Sequence, residues 1–393
     1  MRDRLHDALR EVPVPDARRA EERGWRVVHA AFEQREPARV GPGRPARFAI
    51  AAALGLGALA LALTPAGAKV AEIVHDVVQP GERNARPTLT SLPTSGSLLV
   101  TSPTGAWVVS GDGARRRLGD YDSAAWSPHG LYVAVTARRT LTATEPDGTV
   151  HWSLAARERV ADPAWAPSGI RVAYRAGDSL RVVAGDGTGD RRLVRHVAPT
   201  PPAWAPSAKR NVLAFVGSDG AVRAVDVESG RTLWRSPPII GGVRTLQWSK
   251  SGRLLVGARS FFVVLDRRGQ AVAKGTTGGS AEAMTLAPDG GSVAVAHRTN
   301  TGSELTLMRP SAGRPSSERR LFAGPGRFDD LAWSPDGEWV LMGWRDADQW
   351  LFIRPADRKV VAVSGISRQF APGASGPVGF PQVDGWCCGM PRR

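Results

Sequence analysis

Residues 125–135 read AWSPHGLYVAV, and this stretch decides the fold because its pattern returns five more times along the chain. The anchoring residue of this copy is Trp126. The further anchors are Trp165, Trp204, Trp248, Leu286 and Trp333. Successive anchors lie 39, 39, 44, 38 and 47 residues apart. This period is that of one four-stranded blade of a β-propeller rather than that of a helical or leucine-rich repeat, so the sequence predicts an all-β propeller.

Each part of the repeat has a physical reason. The anchor ends a first strand and packs between neighbouring sheets, and the proline two residues later, with the glycine that follows, favours a hairpin turn. Residues 133–135 are apolar throughout, as expected of a second strand buried between two blades. Residues 180–183 and 191–194 flank a glycine-rich turn and read as the third and fourth strands of their blade.

The two ends of the repeat region complete one further blade. Residues 96–118 match the last three strands of a blade without its first, and residues 383–387, with Trp386 as a seventh anchor, read as a lone first strand. Joined in one sheet, they would close the ring and remove exposed sheet edges. We therefore predict seven blades over residues 97–388. The alternative is six blades, with the end segments as caps.

These units resemble known propeller repeats. The pattern W-[SA]-P-[DS]-G-x-x-[VL]-A-[VYF] resembles the WD-like repeats of TolB-type propellers, a resemblance that covers residues 97–388. Residues 224–234, AVDVESGRTLW, are similar to the A-x-D-x-x-x-G-x-x-x-W repeat of quinoprotein-like propellers, and residues 144–152 echo it. In that family the glycine turn and the tryptophan dock one blade against the next. The resemblance implies a propeller with a binding, scaffolding or enzymatic role.

The formal charge of the 393-residue chain is +15. Nearly all of its surplus positive charge is arginine, spread through blades and loops, which suits a solvated surface or a face for anionic polymers. The sequence contains no helix-turn-helix pattern, zinc-finger spacing or aromatic RNA-binding signature. We expect no nucleic-acid partner.

Residues 1–47 form a separate, charged region with two short amphipathic helical patterns. Leu5, Leu9 and Val12 share one helical face, and Trp25, Val28 and Phe32 share another. Fewer than 50 residues can hardly build a core of their own. The region is predicted either to dock a cytoplasmic protein partner or to act as a solvated spacer.

Residues 48–68 are uncharged, and 21 residues suffice to cross a bilayer. We predict a single transmembrane helix that acts as an uncleaved signal anchor. A cleaved signal peptide is the alternative, with residues 66–68 as its A-x-A site. Four arginines between residues 35 and 47 precede the span, against Lys69 and Arg83 after it. The positive-inside rule then places the N-terminus in the cytoplasm and the propeller outside the cell membrane. Residues 69–96 read as a helix extension and linker, and residues 389–393 as a tail.

Motifs for chemistry are absent from the sequence. It has no G-x-S-x-G elbow, H-E-x-x-H pair or phosphate-binding loop, and the Asp-Gly pairs at Asp147, Asp219, Asp289 and Asp336 fit hairpin turns. Only two cysteines occur, the adjacent Cys387 and Cys388. They can bond to each other in a strained ring, remain free or form an intermolecular bridge. We predict no catalytic residue, no metal and no cofactor.

Binding is the predicted function. Loops before the anchors, around residues 162–163, 199–202 and 328–330, are expected to line one face of the propeller and to receive a protein or an anionic cell-envelope polymer. No individual contact residue is predicted. One alternative is a transmembrane signalling regulator of the anti-sigma type that acts through residues 1–47. The other is a quinone-dependent enzyme, which adjacent cysteines in some quinoprotein-like propellers suggest.

Overall fold

The computed structural model describes residues 88–207, 209–309, 317–374, 376 and 378–388. In this part of the chain, 28 strands form seven four-stranded antiparallel sheets. Within those ranges no helix has the length and apolarity needed to cross a membrane. The predicted regions 1–47, 48–68 and 389–393, and most of 69–96, lie outside them.

Blade 1 is composite and closes the ring. It takes β1 (Ser97–Ser102), β2 (Gly105–Val109) and β3 (Arg115–Gly119) from one end of the propeller and β28 (Gln382–Cys387) from the other. Strand β28 pairs antiparallel with β1, with Leu98 opposite Trp386. The prediction of seven blades is confirmed, and the six-bladed alternative is wrong because the end segments share one sheet.

The other six blades are continuous in sequence, and in each the strand that ends at the anchor comes first and lies innermost. Blades 2 to 4 comprise β4 (Ser123–Trp126), β5 (Val133–Ala137), β6 (Thr140–Thr144), β7 (Val150–Ala155), β8 (Val160–Trp165), β9 (Arg171–Ala176), β10 (Ser179–Ala184), β11 (Arg191–Val194), β12 (Ala203–Trp204), β13 (Val212–Val216), β14 (Ala221–Asp226) and β15 (Thr232–Pro238). Blades 5 to 7 comprise β16 (Thr245–Trp248), β17 (Leu254–Gly257), β18 (Phe261–Leu265), β19 (Ala271–Thr276), β20 (Ser280–Leu286), β21 (Val293–Arg298), β22 (Ser303–Arg309), β23 (Ser317–Gly324), β24 (Phe328–Trp333), β25 (Val340–Trp344), β26 (Gln349–Arg354) and β27 (Lys359–Ser364). A 3₁₀ turn (Arg345–Ala347) and a one-turn helix α1 (Ile366–Gln369) belong to loops of blade 7.

Among the described residues, the core consists of seven hydrophobic clusters, one between each pair of neighbouring blades. Every cluster contains, or is packed against by, one anchor, which lies on the blade before its own. Trp333 of blade 7, for example, belongs to the same cluster as Ala294 and Leu305 of blade 6. The second strands are buried on both faces. Val133, Ala134 and Val135 have no exposed surface, which is why those positions are apolar without alternation.

The acidic residues before the turn glycines cap hairpin turns. The Oδ1 atom of each accepts a hydrogen bond from the backbone N–H two residues later. The four distances are 2.9 Å for Asp147, 3.2 Å for Asp219, 2.8 Å for Asp289 and 2.9 Å for Asp336. This geometry is that of an Asx turn.

Candidate functional site

A central cavity of about 730 Å³ runs along the innermost strands of blades 1, 2, 5, 6 and 7 to the turns that follow their anchors. Its apolar wall includes five of the seven predicted anchors and one methionine. These residues are Trp126, Trp248, Met284, Leu286, Trp333 and Trp386. The anchors Trp165 and Trp204 do not line it, since blades 3 and 4 contribute nothing to this wall. The cavity is therefore one-sided within the ring.

The mouth of the cavity is formed by residues that stand two positions after an anchor. Pro128, Pro288 and Pro335 occupy this position in blades 2, 6 and 7, and they line the mouth together with Lys250 and Cys388. Lys250 and Cys388 stand where the other repeats have proline. The two departures from the repeat thus place an ammonium group and a sulfur at one opening. A comparison of the repeats by position detects both departures, but Lys250 was not among the residues predicted from the motifs.

Lys250 reaches across the mouth. Its backbone N–H donates to the Pro288 carbonyl at 2.9 Å, and its Nζ donates to the Pro335 carbonyl at 2.9 Å, so one side chain spans from blade 5 to blade 7. The residue is exposed, and a neutral carbonyl is a weaker partner for an ammonium than a carboxylate is. An acidic group entering the mouth has a cation available.

The buried N–H groups of the cavity anchors lack partners. The Nε1 atoms of Trp126, Trp248, Trp333 and Trp386 have no hydrogen-bond acceptor among the described residues. Trp165, which does not line the cavity, likewise has a buried Nε1 without an acceptor among the described residues, whereas Trp204 donates to the Ala164 carbonyl of the preceding blade at 2.9 Å.

Four innermost strands carry an acidic residue at a β-bulge. Asp162, Glu282, Asp330 and Asp384 are each an extra residue against the partner strand, and Asp162 and Asp330 have positive φ angles of 54° and 43°. A bulge turns a side chain away from the regular alternation of a strand. The sequence predicted that residues 162–163 and 328–330 lie in loops before the anchors. In the structure they lie inside β8 and β24 instead. Residues 199–202 do precede their strand, β12.

The bulge carboxyls differ in their partners. Asp162 pairs with Arg175 at 2.8 Å, and Glu282 lies 3.6 Å from Arg298. Asp330 and Asp384 form no ion pair with another described residue. Asp330 accepts the N–H of Val383 at 3.2 Å, and the Thr101 hydroxyl donates to Asp384.

Both unpaired carboxyls are held toward their neutral form. Both residues keep some accessible surface but are surrounded by protein atoms, and this burial raises the pKa of Asp330 to about 7 and that of Asp384 to about 8. The Asp330 charge adds to the pKa rise of Asp384 by repulsion. Among the described residues, no three His, Cys, Asp or Glu side chains are grouped so as to hold a metal ion.

Two tryptophans on outer strands dock blades in a different way. Trp152 of blade 2 donates its Nε1–H to the Gly185 carbonyl of blade 3 at 2.8 Å, and Trp234 of blade 4 donates to the Arg267 carbonyl of blade 5 at 3.0 Å. Each indole packs on a turn glycine. A Cβ atom at Gly187 would lie 2.8 Å from the Trp152 ring, and one at Gly269 would lie 2.5 Å from the Trp234 ring. The quinoprotein-like segments thus dock neighbouring blades as their resemblance implies.

Two smaller cavities lie between blades at the periphery. One of about 470 Å³ includes Arg181, which already pairs with Asp190 at 2.5 Å. The other, of about 380 Å³, includes Tyr132, His151 and Trp152, whose rings contribute to the packing of blades 2 and 3. The central cavity is larger than either, and its mouth holds the Lys250 ammonium group, whose partner there is a neutral carbonyl.

The family model described as outer membrane protein assembly factor BamB matches residues 116–237, which run from β3 to β15. That is less than half of the chain. No curated protein sequence matches the chain significantly.

Solved structures share the architecture at low sequence identity. A chain of a mitotic checkpoint complex is 17% identical, with a TM-score of 0.51 over 67% of this chain and 87% of that chain. The Kuenenia stuttgartiensis hydrazine synthase is 16% identical, with a TM-score of 0.47 over 59% of this chain and 75% of that chain. The β-propeller domain of Myceliophteria thermophila Cps50 (Swd1) is 14% identical, with a TM-score of 0.49 over 62% and 86%. At these identities, the first of the three supports the propeller fold alone.

Proposed function

We propose that this propeller is a binding module rather than an enzyme, and that a segment of a partner protein enters the mouth of the central cavity. A volume of about 730 Å³ is within the range of preformed ligand sites. Its wall of tryptophan, methionine and proline side chains suits apolar peptide groups. The partial match to a family described as an outer membrane protein assembly factor supports a role in protein assembly or recognition.

The observation that carries this proposal is Lys250 at the mouth. Its Nζ crosses the opening to the Pro335 carbonyl, so a partner can replace that contact with a stronger one. The partner segment is therefore one that carries an acidic side chain or a C-terminal carboxylate beside apolar residues.

Photo-crosslinking in living cells tests the proposal. A benzophenone amino acid at the exposed His129, beside Pro128 on the rim of the mouth, is expected to capture a specific protein on irradiation. Mass spectrometry of the product identifies it. The matched control places the same group at the exposed Lys274 on outer strand β19, away from the cavity.

Equal capture of the same protein from both positions would contradict a site at the mouth. A product from His129 that contains carbohydrate or another anionic envelope polymer, without peptide, would replace the protein partner by such a polymer.

Placement at the membrane is a further part of the proposal. We infer that residues 48–68 span the cell membrane once, with residues 1–47 in the cytoplasm and the propeller outside. The arginines between residues 35 and 47 support this orientation. With a tag at each terminus of the chain in intact cells, added protease should digest the C-terminal tag and spare the N-terminal one. Protection of the C-terminal tag would reverse the orientation.

Transmembrane signalling is the second candidate function. The apolar faces formed by Leu5, Leu9 and Val12 and by Trp25, Val28 and Phe32 favour it, since they suit docking of a cytoplasmic partner. A pull-down with full-length protein is expected to lose that partner when Leu9 and Phe32 are changed to serine. Recovery of no cytoplasmic protein that depends on these positions would remove signalling from the candidates.

A further inference from the structure

The two cysteines of the chain lie at the mouth of the central cavity. Cys387 is the last residue of the closing strand β28, and Cys388 follows it at a position that is proline in the repeats of most other blades. The structure joins them in a disulfide, the intramolecular alternative among those that the sequence left open. Both are half-buried and line the cavity of about 730 Å³. The pair is thus accessible from the cavity while being held in the ring closure.

The pair also contacts the neighbouring blade. The Sγ atom of Cys388 lies 3.0 Å from the Pro128 carbonyl oxygen, and that of Cys387 lies 3.8 Å from the Ser127 carbonyl oxygen. Those carbonyls belong to the turn that follows the blade 2 anchor Trp126. A thiol can donate an S–H to a carbonyl, whereas a disulfide has no hydrogen to donate. Reduction would therefore add an S–H hydrogen bond between blade 1 and blade 2, and oxidation would remove that hydrogen bond.

We propose that Cys387 and Cys388 form a reversible dithiol–disulfide site at the mouth, and that its reaction partner is a low-molecular-weight thiol carrying a carboxylate. The cavity has the volume of a small-molecule site. Lys250 lines the same mouth and supplies a positive charge for the carboxylate. This inference does not depend on the proposed protein partner.

The chemistry is two successive thiol–disulfide exchanges. A small thiolate attacks one cysteine sulfur, breaks the disulfide and forms a mixed disulfide, and the released cysteine thiolate takes up a proton. A second small thiolate attacks the small-molecule sulfur of the mixed disulfide and releases the other cysteine, which is protonated in turn. Two small thiols thus give two electrons and two protons to the protein and leave as one small-molecule disulfide.

Mass spectrometry of the native full-length protein tests the site, with glutathione as the probe. After equilibration with reduced glutathione, acid quenching and alkylation with N-ethylmaleimide, we expect a gain of two labels. Transfer to oxidised glutathione should return the count to zero. Two outcomes would overturn the proposal. One is labels that appear only when the protein is denatured before it is exposed to glutathione. The other is two labels that persist at every ratio of reduced to oxidised glutathione.

A pair of lysine variants tests whether the thiol enters through this mouth. Lys250→Met should slow reduction by the anionic glutathione several-fold and leave reduction by neutral 2-mercaptoethanol unchanged. Lys274→Met, on the outer strand β19, should change neither rate. Equal slowing of both thiols by Lys250→Met, or no slowing of either, would refute the role of Lys250 in selecting an anionic thiol.

Discussion

The half of the ring that resembles a known family and the half that forms most of the candidate site are different. Residues 116–237 match the BamB family model and include both docking tryptophans, Trp152 and Trp234. Of the cavity wall, this stretch supplies only three residues, all from blade 2. Blades 5 to 7 and the closing segment, residues 383–388, supply the rest, including Lys250, Asp384 and the cysteine pair.

This difference shows what the resemblance can support. The matched stretch contains the two tryptophans that dock one blade against the next, and these contacts concern architecture. The groups with chemistry at the mouth stand where the repeat is broken, and a model of the repeat has no reason to include them. The likeness therefore gives good grounds for the fold and little for the ligand.

The largest expected effect comes from the anchors, which both halves share. Trp165→Ala in the matched half and Trp333→Ala in the other should each lower the free energy of unfolding by about 3–5 kcal/mol. Their exposed fractions are similar, 8% and 9%, and each fills an interface between blades. Chemical denaturation of the purified protein measures both. A cost for Trp333 far below that for Trp165 would show that the cavity half is packed less tightly.

The next largest effect on stability is expected in the matched half, where a glycine that packs on a docking tryptophan is compared with one that does not. Gly187 and Gly189 both have positive φ, and substitution by alanine at such a position costs about 1–2 kcal/mol. Only at Gly187 would the new Cβ meet the Trp152 ring, which adds about 1–3 kcal/mol from overpacking. The melting temperature of Gly187→Ala should therefore be lower than that of Gly189→Ala. Equal melting temperatures would mean that the indole moves aside and that docking contributes little.

One carboxyl group from each half should contribute to the pH dependence of stability, and the two contributions should have opposite signs. Asp384 keeps its proton up to about pH 8 in the folded protein, whereas the unfolded chain releases it near its ordinary value of 3.8. Stability should therefore fall as pH rises from that value to about 8, and Asp384→Asn should flatten the fall. Hydrogen bonds from Arg223, the backbone N–H of Ala221 and Arg235 lower the pKa of Asp219. The ionised Asp219 therefore stabilises the folded protein above the ordinary pKa of 3.8, and this stabilisation is lost as the pH falls below that value.

Melting temperatures between pH 3 and 9 for Asp384→Asn, Asp219→Asn and the parent protein check both signs. Asp219→Asn should remove part of the acid sensitivity and leave the fall toward alkaline pH unchanged. A parent protein that becomes more stable between pH 5 and 8, with Asp384→Asn behaving identically, would contradict a neutral Asp384.

Lys250→Met should have the smallest effect on stability. The side chain is exposed and the backbone N–H to Pro288 is retained, so the free energy of unfolding should change by less than about 0.5 kcal/mol. Lys274→Met, on an outer strand, is the matched control for loss of one surface charge. A loss well above that of the control would mean that Lys250 serves to hold blades 5 and 7 together.

The sequence predicts much of the fold because packing repeats itself. Seven copies of one blade interface leave seven anchors in the sequence, and the composite blade follows from strands missing at one end and left over at the other. The acidic bulges are different, since Asp330 and Asp384 differ from Asp162 through neighbours on other strands. No spacing in the chain reveals that Asp330 accepts the N–H of Val383, more than 50 residues away.

The mouth of the cavity is predictable from the sequence in part, less than the blades and more than the acidic bulges. Lys250 and Cys388 are visible in the sequence as departures from proline at a fixed position, but the sequence does not show that blades 5 and 1 contribute to one opening. That fact needs the curvature of the closed ring.

Capture efficiency at the mouth tests most directly the claim that a partner segment binds beside Lys250. With the crosslinker at His129, the yield of the captured protein is measured in the parent, in Lys250→Met and in Lys274→Met at matched expression. We expect a several-fold loss for Lys250→Met and none for Lys274→Met. Equal yields from all three proteins would contradict it and place the binding site elsewhere on the propeller.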